Sequence, residues 1–582
     1  HFTGEHLTVS NNVKDGIVVD SDAEFSELDA LTAFNNGGIG ISVQTPITRL
    51  SNSSAYNNNV GIYVRNSDSG SPTTIVGATD DGNPVAASLA ANADGATIGN
   101  RGNLIYDNAA TGLHVYGNVL AYGNTVYGQD GSFDTGILAT AGATVAENVV
   151  HTTYNGIVTS TSVETIRRNR VYNNTANGIY ADRSDVVQEN VVYSNDTGIY
   201  AGGYFAGRVT GNIIYDNSMT GIFVSNCCTF GGEVINNTVY QPSGNAVRVQ
   251  GSSRGVDLSN NLLWTHSGFD ISVAADSQTG FRSDYNVLMT SGSGQVAEWQ
   301  GVARPTLVDW RNTAFTDVNS LDLDPLLVDV DGADNVLGFV RAGLGDGRDD
   351  DFHLMSTAGR FTGSLPPVLD LATGLPVRVP FSETTDAVQS PAIDRGDEAD
   401  PFDNEAAPNG GFVNIGAYGN TSHASKSPAE YVLVTRPDGG QVWPADQAFD
   451  VRWRSDLLST NAMSAGTAAE YQAAVSATGP VAFWHLDDSG ATAVDSAGSH
   501  DGAYTNGVTQ NVASFFADNS AAEFDGVDDV ITVADDAALR PSEISIETWL
   551  YPDSGIQPFD AVLSKTSSSS WNDGYGIYHD DG

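Results

Sequence analysis

His151 is the residue in this sequence best suited by type and setting to move a proton. The phrases NTVY, NVVH and NRVY place Tyr127, His151 and Tyr172 at the same point of successive, similar segments. Arg170 precedes Tyr172 by two residues, and Arg183 follows nearby. An imidazole or a phenol can take a proton from a carbon beside a carboxylate, and an arginine can neutralise that carboxylate. Such a cluster suits elimination or epimerisation on an acidic sugar. The same residues also read as members of an aromatic series, and both readings stand at this point. The chain has three lysines, Lys14, Lys426 and Lys565, which leaves little scope for a lysine base.

The elements that must position these residues are repeats. An asparagine precedes a short apolar pair at Asn103, Asn124, Asn148, Asn169, Asn190, Asn212, Asn237 and Asn261, in steps of 21 to 25 residues. A glycine before Ile or Leu recurs with nearly the same period at Gly112, Gly136, Gly156, Gly178, Gly198 and Gly221, with weaker copies at Gly16, Gly40 and Gly61. Short alternating segments with Asn and Gly turns at this period fit one coil of a parallel β-solenoid. One coil cannot bury its apolar face alone, whereas stacked copies can. Inward asparagines then form a ladder, each bonding to its copies and to turn backbone.

Alternation along a strand assigns the faces. One outward column reads Tyr63, His114, Leu138, Val158, Tyr180, Tyr200 and Phe223. A second reads Tyr106, Tyr127, His151, Tyr172, Tyr193, Tyr215, Tyr240 and Trp264. The second is the leading candidate for a binding face, with sugar rings stacking on aromatic rings. Its alternative is a stack that simply stabilises the strands. Glu147, Arg168 and Glu189 precede the ladder asparagines of three consecutive coils and read as a stacked ion pair.

The formal net charge is -46, with 71 acidic and 25 basic residues. That argues against nucleic acid and against anionic membrane surfaces. No apolar run approaches a membrane span. The composition suits salty surroundings or divalent cations, and the expected setting is extracellular or cell-surface, as a monomer. The chain opens on a histidine in mid-repeat and shows no leader, so it reads as a fragment or processed product. Cys227 and Cys228 are adjacent and read as ordinary turn residues.

Residues 1–320 resemble the right-handed parallel β-helix family that includes pectate lyases and polysaccharide epimerases. The resemblance implies the fold and leaves the activity open. The Asp-Pro-His signature of the alginate epimerases and the acidic and Gly-His-Gly signatures of the β-helix polygalacturonases are missing. Residues 321–428 resemble a closing segment of secreted β-helix proteins, with LDPLLVDVDG (within 321–332), DGRDDDFHLMSTAGRF, SPAIDRGDE and PNGGFVNIGAYGNT. It is expected to cap the solenoid's open edge, with Phe352 and Leu354 buried and His353 exposed. Asp349, Asp350 and Asp351 in this segment are candidate Ca²⁺ ligands, since Ca²⁺ takes six to eight oxygens.

Residues 429–470 read as a linker or a partial immunoglobulin-like segment, with Phe449, Val451 and Trp453 alternating and a short helix within 457–477. Residues 471–582 resemble a laminin-G-like, concanavalin A-like jelly roll, an incomplete β-sandwich. ISIETWL should be a strand with Ile544, Ile546, Thr548 and Leu550 on one face, and Trp484 and Trp549 are expected in the core. That family implies glycan or protein binding, often with Ca²⁺, and Asp495 and Asp501 are the candidate ligands. The expected protein is thus all-β. It either binds a polysaccharide through a β-helix rod with a lectin-like domain, or acts as a secreted lyase, epimerase or hydrolase on an acidic polysaccharide.

Overall fold

A parallel strand cannot bury its pleat unless the next coil supplies the same residue types at the same height, and the repeats do so throughout. The computed structural model describes residues 2–20, 25–68, 71, 73–77, 102–160, 164–183, 185–225, 231–341, 344–363, 365, 367–379, 381–429, 431–436, 451–456, 467–514, 516, 518–541, 544–551, 561–566 and 574–578. Cys227, Cys228 and Phe449 lie outside them. The chain divides into two compact units, one of His1–Ala429 with Asp438–Gln441, the other of Glu430–Pro437 with Val442–Gly582.

The first unit is a right-handed parallel β-solenoid. One wall is a twelve-stranded parallel sheet running from Phe2–Glu5 to Arg282–Asp284. Two further columns of strands form the other walls. The first includes Leu104–Tyr106, Thr125–Tyr127, Val149–His151 and Arg170–Tyr172, and the second Asn155–Ser160, Asn177–Ala181 and Thr197–Ala201. Register is kept coil by coil, as Tyr127 pairs with His151 and His151 with Tyr172.

The asparagine ladder is inside, as its sequence implies. Asn169 Nδ2 donates to Asn190 Oδ1 at 3.0 Å, and Asn190 Nδ2 to Asn212 Oδ1 at 3.0 Å. Each backbone N–H joins in, Asn169 N to Asn190 Oδ1 at 2.9 Å. Every amide thus keeps its partners while fully buried, which is what makes a polar stripe in the core tolerable. The recurrent glycine answers to close approach. A Cβ on Gly178 would lie 2.7 Å from the Gly198 carbonyl oxygen, and one on Gly198 2.6 Å from that of Gly221.

The expected cap is a different element. The helix Leu307–Ala314, begun by Thr306 accepting from Asp309 N, sends Leu307 and Trp310 into the apolar core at the last coils. Trp310 Nε1 donates to buried Asp317 at 2.7 Å. Residues 321–428 instead lie along the flank. The reason is packing: Leu337, Phe339, Phe352, Leu365 and Leu369 need an apolar surface, and the aromatic column supplies one. His353 is correspondingly 0% exposed, not facing solvent, with its ring 3.8 Å from that of Tyr418.

In the second unit, the described residues form only two- and three-stranded antiparallel sheets, which do not confirm the expected jelly roll. Tyr431–Arg436 pairs with Arg452–Asp456, and Gly502–Thr505 with Thr492–Ala493 and Val530–Val533. The expected short helix is Ala468–Ala477, closed at its start by a capping box of Thr467 and Glu470. Residues 544–551 form no strand, having no ladder partner among the described residues. Trp549 is 61% exposed rather than core, its Nε1 donating to Tyr471 Oη at 2.8 Å. Trp484 is half-buried and donates to the His500 carbonyl.

Candidate functional site

The second outward column is a continuous stack of eight rings, and it begins earlier than the asparagine marker suggests. Phe34, Tyr56, Tyr106, Tyr127, His151, Tyr172, Tyr193 and Tyr215 follow one another with centroids 4.8 to 5.2 Å apart and planes within 13°. Phe34 and Tyr56 escape the sequence pattern because Leu31 and Ser53 stand where later coils have asparagine; the ring at the third strand position was the remaining signal. The stack breaks after Tyr215, and Tyr240 meets Trp264 edge-on at 73°.

Parallel rings this close stack with an offset, since coplanar rings would interpenetrate. Each interior ring therefore has both faces against neighbours. Edges and hydroxyls are then what the column chiefly turns outward, leaving less ring face for a sugar than the sequence reading supposes.

The flanking segment divides the column in two. Tyr172, Tyr193 and Tyr215 are 4%, 0% and 1% exposed. Tyr193 Oη donates to the Asp346 carbonyl at 2.6 Å, and Tyr215 Oη to that of Gly347 at 3.4 Å. Gly347 must be glycine, because at φ +66° a Cβ would sit 2.7 Å from both Tyr193 Cε2 and Tyr215 Oη. Arg170, 1% exposed, clamps the same segment: Nε donates to Pro367 O at 2.7 Å, Nη1 to Gly347 O at 3.0 Å and Nη2 to Leu365 O at 2.8 Å. The segment then follows the solenoid back, with Gly374 O accepting from Thr125 Oγ1 and Arg378 pairing with buried Glu147 at 2.6 Å. Arg168 pairs with Glu189 at 2.5 Å, as the ion-pair reading expected.

Phe34, Tyr56, Tyr106, Tyr127 and His151 remain half-exposed. Among the described residues, the hydroxyls of Tyr56, Tyr106 and Tyr127 have no hydrogen-bond partner in the protein. After these rings the chain bends in the left-handed region at Asn35, Asn57, Asp107 and Thr152, with φ of 51° to 56°. Those four side chains are exposed. Asn and Asp tolerate that conformation best. The open stretch is thus a row of phenols, one per coil, beside a row of small polar groups. Burial first, then Tyr56 and Asp107, raises the pKa of Tyr106, and burial, Tyr106 and Asp107 do the same for Tyr127. Both stay protonated donors.

Of the cluster His151, Tyr172 and Arg170, His151 alone stays half-exposed. His151 stacks between Tyr127 and Tyr172, with Nδ1 3.0 Å from Thr152 Oγ1, and burial lowers its pKa to about 4. Tyr172 is covered and Arg170 is committed to carbonyls. Tyr240 and Trp264 are half-buried beside the segment, Trp264 Nε1 donating to Ser291 Oγ. The first outward column stays half-exposed, with Tyr180 and Tyr200 stacked at 5.1 Å and Phe223 turned 85° from Tyr200 under the Arg248 guanidinium.

The candidate Ca²⁺ ligands are used singly. Asp349 accepts from Asp334 N, Asp350 from Gly338 N, and Asp351 from His353 Nδ1 at 2.6 Å with Arg360 at 3.6 Å. Burial raises Asp350 to about 7, whereas at Asp351 the effect of burial is outweighed by His353 and Arg360, which hold it low. Asp495 accepts from Phe483, Ala497 and His500 N–H groups; burial raises its pKa, but these donors prevail and bring it to about 2. Asp501 accepts from Asp495 N. Among the described residues these carboxylates are engaged one by one and do not converge on a shared cage for a cation. Among the described residues the group of carboxylates that does converge is Asp525, Asp528 and Asp529, on the surface of the second unit. No helix among the described residues is long and apolar enough to cross a membrane.

Comparison with known proteins agrees with the coil geometry. Residues 68–207 and 145–263 match the family model described as the right handed beta helix region. No curated protein matches the chain. A solved structure that matches, "The complex structure of XylC with xylose", shares 11% identity at a TM-score of 0.28. The match covers 54% of this chain and 56% of that one, and at that score it carries no functional argument.

Proposed function

We propose that the protein is a polysaccharide-binding β-helix, and that it binds its ligand along the open row Tyr56, Tyr106, Tyr127 and His151. The observation that supports this is the contrast within one ladder. Where the flanking segment covers the rings, Tyr193 and Tyr215 donate to its carbonyls. Where it does not, the phenols keep their donors for an outside partner. Carbohydrate is rich in hydroxyl acceptors and in C–H edges that fit beside aromatic edges. An extracellular setting fits this reading. The enzymatic alternative draws less support, because Arg170 and Tyr172 are withdrawn from solvent.

The test is retention of the purified protein on immobilised polysaccharides, with product analysis of the same samples by mass spectrometry and NMR. Retention without new products, reduced about tenfold in Tyr106→Ala and Tyr127→Ala, is expected. Shortened, unsaturated or epimerised products would replace binding with catalysis.

A further inference from the structure

Resting on that reading, we propose that the open ladder takes an uncharged, extended chain of equatorially (β-1,4) linked pyranoses, laid along the solenoid axis with one sugar per coil. Three observations carry this.

The first is spacing. The rings of Tyr56, Tyr106 and Tyr127 recur at 4.8 and 5.2 Å, and His151 follows Tyr127 at 5.0 Å. A ribbon-like β-1,4 pyranose chain advances by nearly the spacing of β-strands per sugar, so successive sugars meet successive coils in register. An α-1,4 chain curls away from a straight row and loses register after a few units.

The second is the use of ring faces. Faces turned to their neighbours leave little for a flat-stacked sugar, and a ligand crossing the ladder would meet one or two hydroxyls. A ligand parallel to the axis meets a phenol or imidazole at each step and a polar neighbour at three of the four: Tyr56 with Asn57, Tyr106 with Asp107 and His151 with Thr152, while Gly128 follows Tyr127. The protein's own flanking segment shows that the ladder accepts a chain laid against it, since both Tyr193 and Tyr215 donate to consecutive carbonyls there.

The third is charge. The columns on either side of the open rings are Thr32, Ser54, Leu104, Thr125 and Val149, of which Thr125 and Val149 are buried beneath the flanking segment, and Asn35, Asn57, Asp107, Gly128 and Thr152. They contain no basic side chain and one carboxylate, on a chain of net charge -46. A polyuronate would meet repulsion without a counter-charge.

Isothermal titration of the full chain with four hexasaccharides separates the possibilities: cellohexaose, mannohexaose, maltohexaose, and the β-1,4-linked anionic hexamannuronate. Cellohexaose or mannohexaose should bind at least tenfold more tightly than the other two. Affinity should rise with each sugar from trimer to pentamer, and Tyr106→Phe should flatten that rise while thermal unfolding is unchanged. Equal binding of maltohexaose, or an affinity independent of length, would overturn the register. Equal binding of hexamannuronate would overturn the charge argument, and either result leaves polysaccharide binding standing. Failure of all four to bind, together with no retention on any immobilised polysaccharide, would defeat the binding reading itself.

Discussion

Tyr127 and Tyr193 share one strand position three coils apart, yet the fold gives them different work. Tyr193 is buried and its hydroxyl is bonded to the Asp346 carbonyl. Tyr193→Phe should therefore cost about 1 kcal/mol of stability in a denaturant titration. Tyr127→Phe keeps the stack and should change stability by less than about 0.5 kcal/mol. Its effect should fall on ligand affinity instead. His151 gives a pH signature. Its folded pKa is about 4 against 6.5 for the free side chain, so the unfolded chain takes up a proton first as pH falls. Stability should drop across pH 6.5 to 4, and His151→Tyr, which continues the ladder, should remove that component. An imidazole NMR titration with a midpoint near 6.5 would contradict this.

At the scale of elements, the asparagine ladder and the flanking segment hold the solenoid together in different ways. Asn190 accepts from both Asn169 N–H groups and donates onward to Asn212. Asn190→Leu leaves those donors without an acceptor at about 1–3 kcal/mol per buried group. A fall in the unfolding midpoint by that order is expected, with the coil structure on either side retained in circular dichroism. The flanking segment carries the opposite pH dependence to His151. Asp350, with Oδ2 accepting from Gly338 N, has a folded pKa of about 7 against 3.8 unfolded. Between those values the folded state holds the extra proton, so the stabilisation is complete below pH 3.8 and is lost as pH rises through 7. Asp350→Asn should flatten stability over that window. Amide exchange in residues 337–352 would read it locally.

For the whole molecule, the charge of -46 is a distributed self-repulsion that salt screens. Raising sodium chloride from low to physiological strength and beyond should raise the melting temperature. A chain whose stability rested chiefly on exposed ion pairs would show the reverse. Exposed pairs such as Arg208 with Glu233 contribute little each, and Arg378 with Glu147 is buried, so it responds weakly to salt.

The period of the chain was enough to determine the solenoid, the inward asparagines and the outward rings, because each follows from local alternation repeated at a fixed step. Tyr106, Tyr127 and His151 were legible as a surface series for that reason. Which part of the series stays open was decided by tertiary structure alone. Residues 337–378 lie more than a hundred residues from the coils they cover, and nothing in NRVY or NVVY records that Pro367, Gly347 and Asp346 will settle on Arg170 and Tyr193. Distant packing also reversed His353, which alternation placed outward, because a second layer turned the outer face into an interior. The jelly-roll pattern shows the limit from the other side: ISIETWL alternates like a strand, but alternation is a capacity, and a strand exists only where a neighbour completes its ladder.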